Sequence, residues 1–326
     1  MNSASTNSMC APVEFPRWSL RRYAIGDPSR VPISRETYDK LAASGEVIQK
    51  ALQLEQSLGI VIDNFIEFEE ALLQVSLREA YIQNDDAEKM MVNRIRFNRL
   101  LMNLLASADA YLDHTAVNLH PIFNEEDESA KLWNEARKSI HHNSFSYRVM
   151  DALRNHALHV ALPIQKVTYC SRWVIVDRAD ELQMLNFVIP TLDLTELEAD
   201  PKFKDKVLDE LKKYESPLDV AKLARGYVGE LGKLHEHLRL LWRDPLSAAF
   251  AAHRSAEEEF YATYPCEIRA GLVASVDTSD VEYGSMVHLG TDAADLFNHL
   301  ASRHRLFATF GRRFVSSIPV ARLTVD

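Results

Sequence analysis

After Gly45 the residues Ala51, Leu54, Leu58, Val61, Phe65, Phe68, Leu72 and Val75 recur at alternating steps of three and four. A strand cannot use that spacing, because its side chains alternate between two faces. A helix turning once every 3.6 residues or so gathers all eight on one stripe. The chain is therefore expected to contain a long amphipathic helix that must bury this stripe against other helices. Phe97, Leu101, Leu104, Ala108 and Tyr111 form a second stripe, stopping near Pro121. The acidic run Glu125-Glu126-Asp127-Glu128 suits the positive end of a third helix through Leu132, Trp133, Ala136 and Ile140. A fourth begins after Asn143 or Ser144, both good caps, and is ended by Pro163, with Met150, Leu153, Ala157 and Val160 expected inward. Two long and two shorter helices with short connections fit a bundle.

Around this bundle the texture changes. The first forty-odd residues carry Pro12, Pro16, Pro28 and Pro32 and little periodicity, so residues 1–45 read as a tail or docking arm pinned by Trp18, Leu20 and Tyr23. Lys166 to Asp177 and Leu182 to Ile189 are rich in β-branched and aromatic residues and predict a hairpin. Helices are expected over Lys202 to Tyr214, Leu218 to Trp242 and Leu246 to Tyr264. A second strand pair, Glu267 to Val276 and Val281 to Leu289, precedes a last helix over Asp292 to Phe310. The expected fold is mainly α: a bundle over residues 46–242 with an inserted hairpin at about 166–190, then a C-terminal extension of helix and strand over 243–326.

Composition narrows the function classes. A chain of 326 residues that is 47% apolar buries one large core or two smaller ones. The net charge of −10 argues against indiscriminate coating of nucleic acid. Cys10, Cys170 and Cys266 are too few and too scattered for a disulfide framework or a zinc site, as in a reducing compartment. The polar start from Met1 to Cys10 lacks a signal sequence's basic and apolar regions, and no stretch approaches about 18 uninterrupted apolar residues. A cytoplasmic location without membrane spans is the expectation.

No metalloprotease H-E-x-x-H, phosphate-binding glycine loop or G-x-S-x-G elbow occurs, and no metal or cofactor is expected. His235-Glu236-His237 sets its imidazoles roughly 200° apart on a helix, which reads as a solvated face. His141-His142 falls at a helix C-terminus, where the dipole favours imidazolium anyway. One island stands out. Arg137, Lys138, Arg148, Arg154, Lys166, Arg172 and Arg178 face only Asp151 and Asp177, and His141, His142, His156 and His159 lie in the same stretch. A basic, histidine-rich island in an acidic chain is where a polyanion would bind and a proton move. The bland alternative pairs Asp151 with Arg154, leaves Arg148 and Arg172 solvated and uses His159 as a C-terminal cap.

Within that island Arg154-Asn155-His156-Ala157-Leu158-His159 resembles the R-N-x-x-x-H signature of HEPN domains, many of which are RNases of defence and toxin systems. The spacing alone says little, since Arg137 and His142 also stand five apart. The resemblance rests on context: Asn98 to Leu105, Tyr111-Leu112-Asp113-His114, Ser144 to Arg148 leading into Arg154-Asn155, and the close on Leu162-Pro163-Ile164. It spans about 70 residues, Asn93 to Ile164. It implies an HEPN-like bundle and a metal-independent endoribonuclease built across a homodimer. Arg154, His159 and Asn155 would be catalytic, and Arg148, Tyr147 and His156 would bind substrate. RNA is the implied substrate, and an antitoxin or defence-system protein a further implied partner.

The chemistry is coherent by itself. Residues five apart on a helix are separated by about 140° and about 7.5 Å, so Arg154 and His159 of one chain do not converge on one phosphate. Asn155 and His159, four apart, share a face, and two copies about a two-fold axis bring both arginines and both histidines to one cleft. An imidazole of ordinary pKa near 6.5 can take the proton of an RNA 2′-hydroxyl, while a guanidinium holds the phosphoryl oxygens. The products would be a 2′,3′-cyclic phosphate and a 5′-hydroxyl, with Tyr147, Tyr169 or Trp173 as stacking faces. The competing class is a non-catalytic HEPN-like module that binds nucleotide or protein and dimerises through the same helices. Apolar Leu158, immediately before the motif histidine, and the chain's acidity favour that class.

Overall fold

The computed structural model describes residues 17–82, 86–122, 128–176, 182–214, 218–265, 269–276, 286–290, 292–313, 315 and 323–324. The first elements are β1 (Trp18–Arg22), β2 (Arg30–Pro32), α1 (Arg35–Tyr81), α2 (Ala87–Ile122), α3 (Glu128–Asn143), α4 (Phe145–His159), β3 (Lys166–Val176) and β4 (Leu182–Leu192). There follow α5 (Leu194–Glu198), α6 (Asp205–Leu211), β5 (Leu218–Asp219), α7 (Val220–Thr263), β6 (Leu272–Val276), β7 (Met286–His288), α8 (Asp292–Arg303), a 3-10 turn over Phe307–Arg312 and β8 (Leu323–Thr324). The fold is mainly α with small antiparallel sheets, and no described helix is long and apolar enough to cross a membrane. The chain divides into two units, residues 1–49 with 244–296 and residues 50–243 with 297–326.

The first unit corrects the reading of residues 1–45 as a tail. From Trp18 onward they form strands in a sheet of order β2-β1-β6-β7, with Leu20 opposite Ala274. Leu20, Tyr38, Leu41, Phe260, Tyr261 and Leu272 bury together beneath it. The pairing joins segments some 250 residues apart, so no local period announces it. Residues 1–16, with Pro12 and Pro16, lie outside the described residues. Helix α1 starts ten residues before Gly45, where the Ser34 hydroxyl accepts the Thr37 N–H at 3.0 Å.

The second unit carries the expected bundle. All eight stripe residues of α1 and all five of α2 are buried. The hairpin forms as two 11-residue strands, in register from Lys166 opposite Thr191 to Ile175 opposite Leu182. Helix α4 ends at His159, and Asn98 holds the chain just past Pro163 by donating to the Ile164 carbonyl and accepting the Ile164 N–H, both at 2.8 Å. Its inward face is displaced from expectation: Tyr147, Val149, Met150, Ala152, Leu153 and His156 are buried, whereas Val160 is half exposed.

Other boundaries also moved. The two helices expected over Leu218 to Trp242 and Leu246 to Tyr264 are one, α7, which continues through Pro245. A proline removes one backbone bond, and buried Trp242, Leu246 and Ala249 keep the helix anchored on both sides of it. The strand pair expected over Glu267 to Val276 and Val281 to Leu289 is shorter, as β6 and β7, with residues 266–268 and 277–285 outside the described residues; it joins β1 rather than the hairpin. The last helix stops at Arg303 and gives way to the 3-10 turn. That turn crosses α7 at Gly232, where a Cβ would stand 2.5 Å from the Ala308 nitrogen, while Phe310 stacks on Phe65 at 5.8 Å.

Candidate functional site

Helix α4 begins in a cap, the Ser144 hydroxyl accepting the Tyr147 N–H at 3.3 Å. Arg148, one turn in, is fully engaged. Its Nε and Nη2 donate to the Glu210 carboxylate, Nη2 at 2.6 Å from Oε2, and its Nη1 donates to the carbonyls of His141, at 3.0 Å, and His142. It fastens the end of α3 to α6. Tyr147 is buried beside Tyr227, ring centroids 5.3 Å apart, and burial pushes its phenol up despite nearby Arg137. Both side chains expected to bind substrate therefore have structural partners.

The third, His156, is buried too. Its Nδ1 stands 2.8 Å from Oδ2 of Asp200, which caps the following turn by accepting the Lys202 N–H at 2.9 Å on its other oxygen. Phe203 meets the imidazole edge to face. The His156 bond is the main reason the Asp200 carboxyl is held below its usual range, outweighing burial.

The three residues expected to be catalytic lie at the surface. Arg154 Nη1 donates to Asp109 of α2, while its Nε and Nη2 donate to Asn155 Oδ1 at 3.2 and 2.9 Å. Asp151, the acid expected to pair with Arg154, takes Lys204 instead at 2.5 Å. Asn155 and His159 are exposed one turn apart. The guanidinium is thus fixed in orientation, and the Arg154 side chain as a whole is 23% exposed. Asp109 and Glu210 lie 45 and 62 residues from the arginines they meet, so no spacing could have flagged them. Together they offset two of the five excess positive charges visible in the sequence.

A second polar centre was missed altogether. Glu55, fully buried, accepts Nε and Nη2 of Arg239, both at 2.7 Å, His235 Nε2 at 3.0 Å and His304 Nδ1 at 3.3 Å. The Tyr111 hydroxyl meets His235 Nδ1 at 2.9 Å. Burial alone would raise the Glu55 carboxyl, but bonds from His235, His304 and Arg239 outweigh it and hold the carboxyl far below its usual range. Burial pushes His235 down, which suits a neutral ring donating from Nε2 and accepting the tyrosine hydroxyl at Nδ1. The reading of His235-Glu236-His237 as one solvated face is corrected: Glu236 is exposed, but His235 is sealed in the core.

Among the described residues no group of three or more His, Cys, Asp or Glu is arranged to hold a metal ion. In Glu55 the carboxylate oxygens are already occupied by nitrogen donors. No family model, curated protein or solved structure matches the chain.

Proposed function

We propose that the exposed face of α4 is half of a metal-independent endoribonuclease site of the HEPN kind, completed by a second copy of the chain. The observation that carries this reading is the placement of the motif. Arg154 is aimed by Asp109 and Asn155 at the surface, and Asn155 and His159 stand open to solvent one turn along. A pre-oriented guanidinium loses little freedom when a phosphate arrives, and an exposed imidazole is free to exchange protons with water and substrate. His159 would take the 2′-hydroxyl proton as that oxygen bonds to phosphorus. The bond to the 5′-oxygen then breaks, and that oxygen takes a proton from the partner's imidazole or from water. Arg154 would steady the charge gathering on the phosphoryl oxygens.

The test is incubation of the purified chain with structured and unstructured RNA, with and without EDTA, scoring cyclic-phosphate and 5′-hydroxyl ends. Wild type should cut in EDTA; His159→Ala and Arg154→Ala should not; a mixture of the two should recover part of the activity; His142→Ala should behave as wild type. Undiminished cleavage by His159→Ala, or loss of wild-type activity in EDTA, would overturn the reading.

One observation favours a second reading, a non-catalytic binding module. Asp109 and Glu210 compensate the two arginines nearest the motif, which weakens the attraction of this face for a polyanion. Under that reading RNA is neither cut nor retained at physiological salt.

A further inference from the structure

The outer face of α2 carries a stripe that reads the same from both ends. Ile95, Arg99, Met102, Ala106, Ala110, Asp113 and Val117 follow one another at steps of three and four, which keeps them on one face of the helix. All are exposed except Met102, which is half-buried; Ile95 is 50% and Val117 67% accessible. About Ala106 the stripe is symmetric in type. Four residues to either side stand Met102 and Ala110, seven to either side Arg99 and Asp113, and eleven to either side Ile95 and Val117. Arg99 and Asp113 make no ion pair within the described residues, and about 21 Å of helix separates them.

From this we infer that α2 is the seam through which two copies of the chain associate, antiparallel, about a two-fold axis passing beside Ala106. In that register Arg99 of each copy faces Asp113 of the other, Met102 faces Ala110 and Ile95 faces Val117. The small Ala106 meets itself at the centre, where the backbones come nearest. Neighbouring pairs, Asn103 with Asp109 and Arg96 with Ala116, bring no like charges together. A parallel pairing would instead set Arg99 on Arg99 and Asp113 on Asp113, so charge selects the antiparallel arrangement.

The arrangement also deepens the proposed function, on which its last step rests. Asp109, which holds Arg154, and Asn98, which holds Ile164, lie roughly a quarter-turn around α2 from the seam. A two-fold axis perpendicular to both α2 helices keeps that flank on the same side in each copy. The two α4 helices therefore stand side by side above the paired α2 helices, and each motif gains the partner that its own geometry denies it.

The experiment is sedimentation equilibrium of the full chain at micromolar concentration, with folding of every variant checked by far-UV circular dichroism. Arg99→Glu and Asp113→Arg should each weaken the dimer by about tenfold or more, since the symmetry turns one reversal into two repulsive pairs. The double variant Arg99→Glu/Asp113→Arg should return to within about threefold of wild type. Ala106→Glu, which sets two carboxylates together on the axis, should give monomer. A monomeric wild type, or a dimer that ignores all four variants, overturns the seam. The two proposals fail separately: a dimer that obeys the charge swap but leaves RNA intact sinks the nuclease reading and keeps the seam, a dimer that cuts RNA but ignores the charge swap sinks the seam and keeps the nuclease reading, and RNA cleavage by monomeric Ala106→Glu keeps the seam and removes the need for a second copy at the site.

Discussion

His156 Nδ1 lies 2.8 Å from Asp200 Oδ2 with both side chains sealed from water, so the central histidine of the basic stretch ties α4 to the turn before α6. His156→Ala leaves a buried carboxylate without its partner and should cost about 2–4 kcal/mol in urea unfolding at pH 7. The Asp200 carboxyl is held low by that bond, so its contribution is full above the unfolded value of about 3.9 and is lost as pH falls through the folded one. The slope of stability against pH below 4 should therefore be shallower in the variant. Equal slopes would show that the His156 bond does not hold the Asp200 carboxyl low.

Glu55 is a costly side chain to remove, because three donors depend on it. Glu55→Gln withdraws the charge that satisfies Arg239, His235 and His304 together, and should destabilise by about 3–5 kcal/mol in denaturant unfolding. Glu55→Leu with His235→Leu, Arg239→Met and His304→Leu, which removes all three donors as well, should recover a large part of the loss. A Glu55→Gln variant as stable as wild type would mean that the cluster contributes nothing.

Mild acid should weaken the fold through two buried histidines. Burial holds His235 and His253 below the ordinary histidine value, against bonds to Glu55 and the Leu41 carbonyl. As pH drops below about 6.5 the unfolded chain takes up these protons first, so stability declines from there toward the folded values. Urea midpoints at pH 7.5 and 5.5 measure this, and His253→Gln should reduce the difference. A midpoint that rises on acidification contradicts the assignment.

Gly232→Ala sets two effects against each other. Alanine favours a helix interior by about 1 kcal/mol, but its Cβ would stand 2.5 Å from the Ala308 nitrogen and 2.6 Å from the Phe307 carbonyl carbon, atoms of backbone that cannot rotate away. The crowding should win, with a net loss of about 1–3 kcal/mol and faster proteolysis within 297–312. A stabilised variant would show that this turn is not seated on α7.

The motif residues should differ in what they do for the fold. His159→Ala should leave unfolding within about 0.5 kcal/mol of wild type, because an exposed helix end packs against little. Arg154→Ala strands Asp109 and should cost about 1 kcal/mol. Comparing both with their RNA cleavage separates a lost site from a lost fold.

The helices of the bundle were legible because burial on one face of a helix imposes a period, and Leu54, Phe68, Leu104 and Tyr111 carry that period in the chain itself. The same holds for the Lys166 to Leu192 hairpin, whose pairing is local, and for α4, whose cap at Ser144 and stop before Pro163 are neighbours in sequence. What the sequence left open was every partnership between distant residues. Leu20 with Ala274, Arg154 with Asp109, Arg148 with Glu210 and His235 with Glu55 join positions 45 to 254 apart. An ion pair or a strand pairing needs only proximity, and proximity leaves no spacing behind in the chain. The sequence by itself thus determined where the bundle's helices run and which faces α1 and α2 hide. Only the tertiary structure decided that His156 and Tyr147 are core, that Arg154 is held ready at the surface, and that residues from Trp18 onward belong to a sheet, because each outcome depends on which distant chemical group arrives alongside.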